Sequence, residues 1–123
     1  MDENELKLRI FPNRKDLSSD YVLDCLFNLT KKEKEVNLGH KAKLIIKKAA
    51  QRGEQGLFSH QWEEQAQELG LTQSQYFYIV RILKNAGIIY KSKGRYYISR
   101  SFAEHLAGMA TAFNAFMMDL GVA

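Results

Sequence analysis

Leu69–Ser99 runs LGLTQSQYFYIVRILKNAGIIYKSKGRYYIS, and a turn, a helix and a hairpin follow one another within it. Gly70 makes the turn, and Thr72 is placed to accept a hydrogen bond from the first free N–H groups of the next helix. Tyr76, Ile79, Val80 and Leu83 then recur at steps of three and four, so they share one face and are expected to be buried. Gly87 ends the helix, since a left-handed cap costs glycine nothing sterically. Beyond it, Ile88-Ile89-Tyr90 and Tyr96-Tyr97-Ile98 flank Lys91-Ser92-Lys93-Gly94-Arg95, a pattern for a β-hairpin with glycine in its turn and a cationic tip. A helix feeding such a hairpin suits a duplex, with the helix in the major groove and the hairpin on the backbone.

At these residues the chain resembles the winged helix-turn-helix family, in particular its small MarR-like and ArsR-like regulators. The resemblance lies in Leu71-Thr72-Gln73-Ser74, Ile79-Val80, Leu83 and Gly87-Ile88-Ile89, with the wing directly after. Trp62, Ala66, Leu69 and Gly70 look like the helix that precedes the recognition helix there. It covers roughly residues 40 to 99, about half of the chain. Phe77, Tyr78 and Ile82 depart from the pattern, standing where such recognition helices usually carry small or charged residues. Aromatics there suit sugar, thymine methyl groups or unstacked bases. They suit a protein-docking face equally.

The chain has 123 residues, enough for one domain with its own core. Its net charge is +4, with eighteen basic and fourteen acidic side chains. Asp2, Glu3 and Glu5 lie in the first five residues, so the remainder holds eighteen basic against eleven acidic groups. That excess suits a polyanionic partner. Cys25 is the single cysteine, which excludes an internal disulfide and fits a reducing compartment. The acidic start is unlike a signal peptide, and no uncharged apolar run reaches the roughly 18 residues of a membrane helix. A cytoplasmic, nucleoid-associated protein is expected.

Along the chain, Leu6, Leu8 and Ile10 alternate with Lys7 and Arg9 until Pro12, as in a short strand or an arm. Ser18 or Ser19 caps a helix through about Leu29, with Val22, Leu23, Leu26 and Leu29 as its stripe. Thr30–Val36, TKKEKEV, reads as a solvated charged face. A second helix runs from Leu38 or Gly39 to Gln51, with Leu44, Ile45, Ile46 and Ala49 inward. Its outer lysines, Lys41, Lys43, Lys47 and Lys48, serve either phosphate contact or solubility. Gly56-Leu57-Phe58 is a loop or one small strand, and in the winged family a strand here pairs with the wing. Ser59 begins the next helix, with Trp62, Ala66 and Leu69 inward and Glu63, Glu64, Gln65 and Gln67 outward.

Ser101 and Glu104 read as an S-x-x-E capping box announcing a last helix. Phe102, Leu106, Met109, Phe113, Phe116 and Leu120 follow at spacings of four and three, a heptad seam that Met117 extends. No residue from Leu106 to Met118 is charged. A lone surface helix would show a polar face there. The seam is expected to form a homodimer, the other reading being that it packs on the first helix of its own chain.

Signals for catalysis are lacking. His40, His60 and His105 fall on different predicted helices without metal-ligand spacing, and the eight glycines form no phosphate loop. Cys25 reads as a buried thiol. Neither an enzyme, a metal site nor a cofactor is expected.

The expected fold is therefore mainly α with a small β-hairpin wing (α+β). In the terms of the resemblance it is a winged helix-turn-helix (38–100) with an extra N-terminal arm and helix (1–37) and a C-terminal dimerisation helix (101–123), compact as one domain. The resemblance implies sequence-specific binding of double-stranded DNA by a homodimeric transcriptional regulator. Thr72, Gln73, Ser74, Gln75, Tyr78 and Arg81 would then meet the major groove, and Lys84, Lys91, Lys93 and Arg95 phosphate or the minor groove. A DNA-replication or plasmid-maintenance role uses the same architecture. A winged-helix protein-interaction module docking through Phe77, Tyr78 and Ile82 is the alternative. Nothing in the sequence argues for a small-molecule effector.

Overall fold

The computed structural model describes residues 18–27 and 37–122. The predicted arm at Leu6–Ile10, Leu29 and the charged run Thr30–Val36 lie outside the described residues. The described residues are mainly helical, with one small three-stranded antiparallel sheet.

Helix α1 spans Ser19–Asp24, capped by the Ser18 hydroxyl, which accepts from the Tyr21 N–H. It ends at Asp24, short of the predicted Leu29, and its neighbours Leu26 and Phe27 turn into the core. Helix α2, Leu38–Arg52, buries Leu38, Ala42, Ile45 and Ala49. The two helices touch at Gly39, where an added Cβ would stand 2.1 Å from Asp24 Oδ1. A larger residue there would have to displace the Asp24 carboxylate.

Of the loop and the small strand that Gly56-Leu57-Phe58 allows, the structure has the strand, β1, Leu57–Phe58. A 3-10 turn, Ser59–Gln61, follows, and helix α3 begins only at Trp62 and runs to Leu69. Gln65, expected outward, is buried. Polarity points it outward, but position 65 continues the inward stripe of Trp62, Ala66 and Leu69 at helical period. Gly70 closes α3 in the left-handed conformation, donating to Ala66 and Gln67 carbonyls. Leu71 is buried and Thr72 opens helix α4, Gln73–Ala86, so three residues join the two helices.

The inward face of α4 is the one the periodicity predicts: Tyr76, Ile79, Val80 and Leu83 are all buried. Gly87 ends it at φ 80°, and its N–H donates to Leu83 and Lys84 carbonyls. Strand β2, Ile89–Ser92, then pairs with β3, Arg95–Ile98, and β3 also pairs with β1, giving the order β1-β3-β2. Register sets Tyr90 opposite Tyr97, Ser92 opposite Arg95 and Phe58 opposite Arg95. The hairpin is tighter than the sequence implied. Only Lys93 and Gly94 form its turn, both at positive φ (51° and 74°), as a two-residue turn between twisted strands demands. Leu57, Tyr96 and Ile89 close the sheet onto the helices, and the core is completed by Phe27, Leu38, Ile45, Tyr76, Ile79 and Leu83. Each such side chain contributes about 1.5–3 kcal/mol on burial.

Helix α5, Ser101–Asp119, is pinned among the described residues at its start. Phe102 N–H donates to the Gly87 carbonyl and Ser99 N–H to that of Ile88. The predicted capping box at Ser101 does not form, because Ser101 is already the first helical residue. The Ser99 hydroxyl takes the Ser101 N–H instead, at 3.2 Å. Phe102 is buried, while Leu106 and Met117 are half-buried. Met109, Phe113, Phe116 and Leu120 are exposed, Phe113 by 62 %. Packing of this seam over α1 is therefore absent among the described residues. None of the helices among those residues is long and apolar enough to cross a membrane.

Candidate nucleic-acid interface

The site is built from the outward side of α4 and the hairpin that follows it. Thr72 and Gln75 form a complete capping box. The Thr72 hydroxyl accepts from Gln75 N–H at 3.1 Å, and Gln75 Oε1 accepts from Thr72 N–H at 2.9 Å. This fixes where the helix starts and which side faces out. Gln73, Ser74, Phe77, Arg81 and Lys84 are exposed along that side. Gln75 is only half-exposed, and its carbonyl oxygen is already committed to the cap. Bidentate reading of adenine needs that oxygen and the amide nitrogen together. Gln75 is thus a capping residue in this conformation.

Tyr78 is half-buried, its ring 5.9 Å edge-on from Phe27, and the Arg81 guanidinium lies 5.6 Å over its ring. Tyr78 therefore supports Arg81 from below, a cation–π contact worth about 0.5–1 kcal/mol when exposed. Phe77 sits mid-stripe, 39 % exposed, with Trp62 and Tyr76 rings at 5.3 and 5.7 Å. Ile82 is half-buried against the core. The three departures from the family pattern thus divide: Tyr78 and Ile82 pack, and Phe77 is open.

The hairpin cations are also unlike one another. Lys93 is at the turn and Lys91 on the strand, both exposed, with Lys91 Nζ 5.8 Å over the Tyr96 ring. The Arg95 guanidinium carbon lies 4.6 Å from the Phe58 ring centroid, and the side chain donates to the Gln55 carbonyl at 3.1 Å. It ties the hairpin to β1 and the turn before it. The lysines of α2 are largely occupied: Lys41 donates to the Leu69 carbonyl at the end of α3, Lys43 pairs with Asp20 and Lys48 with Glu68. A cation on the last carbonyls of a helix satisfies an orphan acceptor. The solubility and packing reading of these lysines is the one the geometry favours.

Beneath the site, Tyr76 is fully buried and its hydroxyl has no hydrogen-bond partner among the described residues. Burial, with a smaller contribution from the neighbouring Tyr96 phenol, pushes its pKa up to about 12. Burial raises Tyr96 as well. Among the described residues no cluster of three or more His, Cys, Asp or Glu side chains is arranged to hold a metal, and Cys25 is buried.

Sequence reasoning did not single out the outer face of the sheet. Phe58, Tyr90 and Tyr97 share it with Arg95, and the Tyr90 and Tyr97 rings stack at 5.4 Å. The two-residue alternation of Tyr90 and Ser92 against Arg95 and Tyr97 is the signal that places them together.

No curated protein and no solved structure matches the chain. The model of an archaeal protein family matches residues 19–119, which takes in every described helix and strand. The chain belongs to that archaeal family.

Proposed function

We propose that this protein is a homodimeric winged helix-turn-helix protein that binds double-stranded DNA sequence-specifically, as a transcriptional regulator associated with the nucleoid in the cytoplasm. One observation carries the reading. The capped helix α4, joined to α3 by Gly70-Leu71-Thr72, runs through Gly87 into a tight basic hairpin and presents Arg81 and Lys84 outward. In that arrangement α4 is the recognition helix and the hairpin is the wing. Arg81, steadied on Tyr78, is suited to the O6 and N7 of guanine. Gln73 and Ser74 lie at the helix start, where side chains reach base edges first. Lys84, Lys91 and Lys93 neutralise phosphate, adding affinity without sequence choice.

The second copy is argued from α5. Its exposed seam is symmetric in spacing about the level of Thr111, so an antiparallel partner sets Met109 against Phe113 and Leu106 against Phe116. Self-complementarity of this kind is what a two-fold interface needs. A DNA-binding dimer would then read two half-sites.

Phe77 favours a second reading, a winged-helix module whose α4 docks a protein. Selection of bound duplexes from a random pool separates the two. Enrichment of a motif that Arg81→Ala abolishes supports the DNA reading, and a pool that stays random through repeated rounds overturns it.

A further inference from the structure

We propose that the outer face of the sheet is a stacking platform for the unpaired bases of single-stranded nucleic acid. The site is distinct from α4 and does not depend on how α4 is used. Three aromatic rings, one from each strand, share the face: Phe58 on β1, Tyr97 on β3 and Tyr90 on β2. Tyr90 and Tyr97 face each other across β2 and β3, and Phe58 lies beside them opposite Arg95, in the next cross-strand pair on the same face. Tyr90 and Tyr97 lie nearly parallel, at 26° and 5.4 Å, and Tyr90 is 51 % exposed.

Two guanidinium groups complete the face. Arg95 covers Phe58 at 4.6 Å and Arg52 approaches the same ring at 6.0 Å. A guanidinium held over an aromatic ring is placed for stacking on a base and for pairing with a phosphate. Gly56 keeps the platform level. At φ 71°, an added Cβ there would stand 2.8 Å from the Tyr97 ring and 3.0 Å from the Arg95 Cβ.

Charge selects a polyanion. The face carries Arg95, with Arg52 over Phe58 and Lys93 at the hairpin turn; residues 57–60 and 88–100 contain no acid, and Glu54 stands in the 3-10 turn at the rim. Side chains on the face of a sheet cannot reach the ring faces of bases stacked inside a duplex, which leaves single strands as the matching form. DNA and RNA strands offer the same bases and phosphates, so the chemistry is common to both.

Fluorescence anisotropy with short labelled oligo(dT), oligo(rU) and an abasic deoxyribose-phosphate strand of equal length tests this. Wild-type protein should bind at least one base-bearing strand about tenfold more tightly than the abasic one. The preference between dT and rU names the natural strand. Tyr90→Ala should lose about tenfold on the base-bearing strand and nothing on the abasic strand or on duplex DNA, and Tyr90→Phe should retain binding. Tyr90 is half-exposed, so its truncation leaves the core untouched; an unchanged far-UV spectrum checks this. Equal affinity for base-bearing and abasic strands overturns the proposal, as does a Tyr90→Ala variant that binds like wild type. A change from dimer to monomer in that variant would assign the face to a second copy and overturn it too. Failure of the α4 reading would abolish duplex binding while leaving the strand comparison intact.

Discussion

Gln75 Oε1 lies 2.9 Å from the backbone nitrogen of Thr72, and the Thr72 hydroxyl returns the contact to the Gln75 N–H. The first turn of α4 is thereby fixed from both sides. Gln75→Ala should cost about 1 kcal/mol of stability by freeing one end of the box. It should leave discrimination between DNA sites unchanged, because the residue spends its acceptor on the helix. Thermal melts alongside binding to specific and scrambled duplexes would check this. A loss of discrimination at unchanged stability would return Gln75 to the reading surface.

The seam on α5 should hold two copies together at micromolar concentration. Phe113→Glu with Phe116→Glu would place charge in an apolar contact, at a cost of several kcal/mol, on the order expected for an unpaired buried charge. Sedimentation velocity should show the wild type as a dimer and the double variant as a folded monomer. Both side chains are exposed on a single chain, so the variant's own core is unaffected.

Tyr76 predicts a pH effect with a definite sign. Its folded pKa, about 12, lies above the ordinary 10.0, so the folded state holds the phenolic proton more tightly than the unfolded chain. Stability from this group is complete below pH 10 and falls as pH rises from there through 12, by about 2–3 kcal/mol in all. Tyr76→Phe should show a shallower loss over that window. At pH 7 it should be neutral or stabilising by about 1 kcal/mol, since it removes a buried hydroxyl without a partner among the described residues. Denaturant melts of both proteins at pH 7 and above pH 10 give the comparison.

Much of this architecture was legible because local rules and packing agree. Tyr76, Ile79, Val80 and Leu83 lie inward as their spacing requires, and Thr72, Gly70 and Gly87 act as the caps their chemistry favours. Ser101 was misassigned because a capping box is a four-residue pattern, and Ser99 two residues earlier offers the same hydroxyl. Gln65 was placed outward by polarity although its helical phase is inward. At the site, sequence gave residue types without their partners. Arg95 and Lys93 look alike as basic residues of one hairpin, yet Arg95 is held on Phe58, thirty-seven positions away, and Lys93 is exposed at the turn. Contacts of that range depend on strand register, which only the folded sheet supplies.

If α4 and the basic hairpin bind a DNA duplex through phosphates and bases together, the affinity must depend on salt. Affinity for a duplex carrying the selected motif, measured from low to moderate salt, should fall steeply and linearly on logarithmic axes. Lys91→Ala with Lys93→Ala should reduce that slope by roughly one to two while weakening specific and scrambled duplexes alike. Arg81→Ala should instead cost about 1–3 kcal/mol on the motif and far less on the scrambled duplex. Absence of duplex binding at micromolar protein, or binding that salt leaves unchanged, would rule out duplex recognition by α4 and the hairpin.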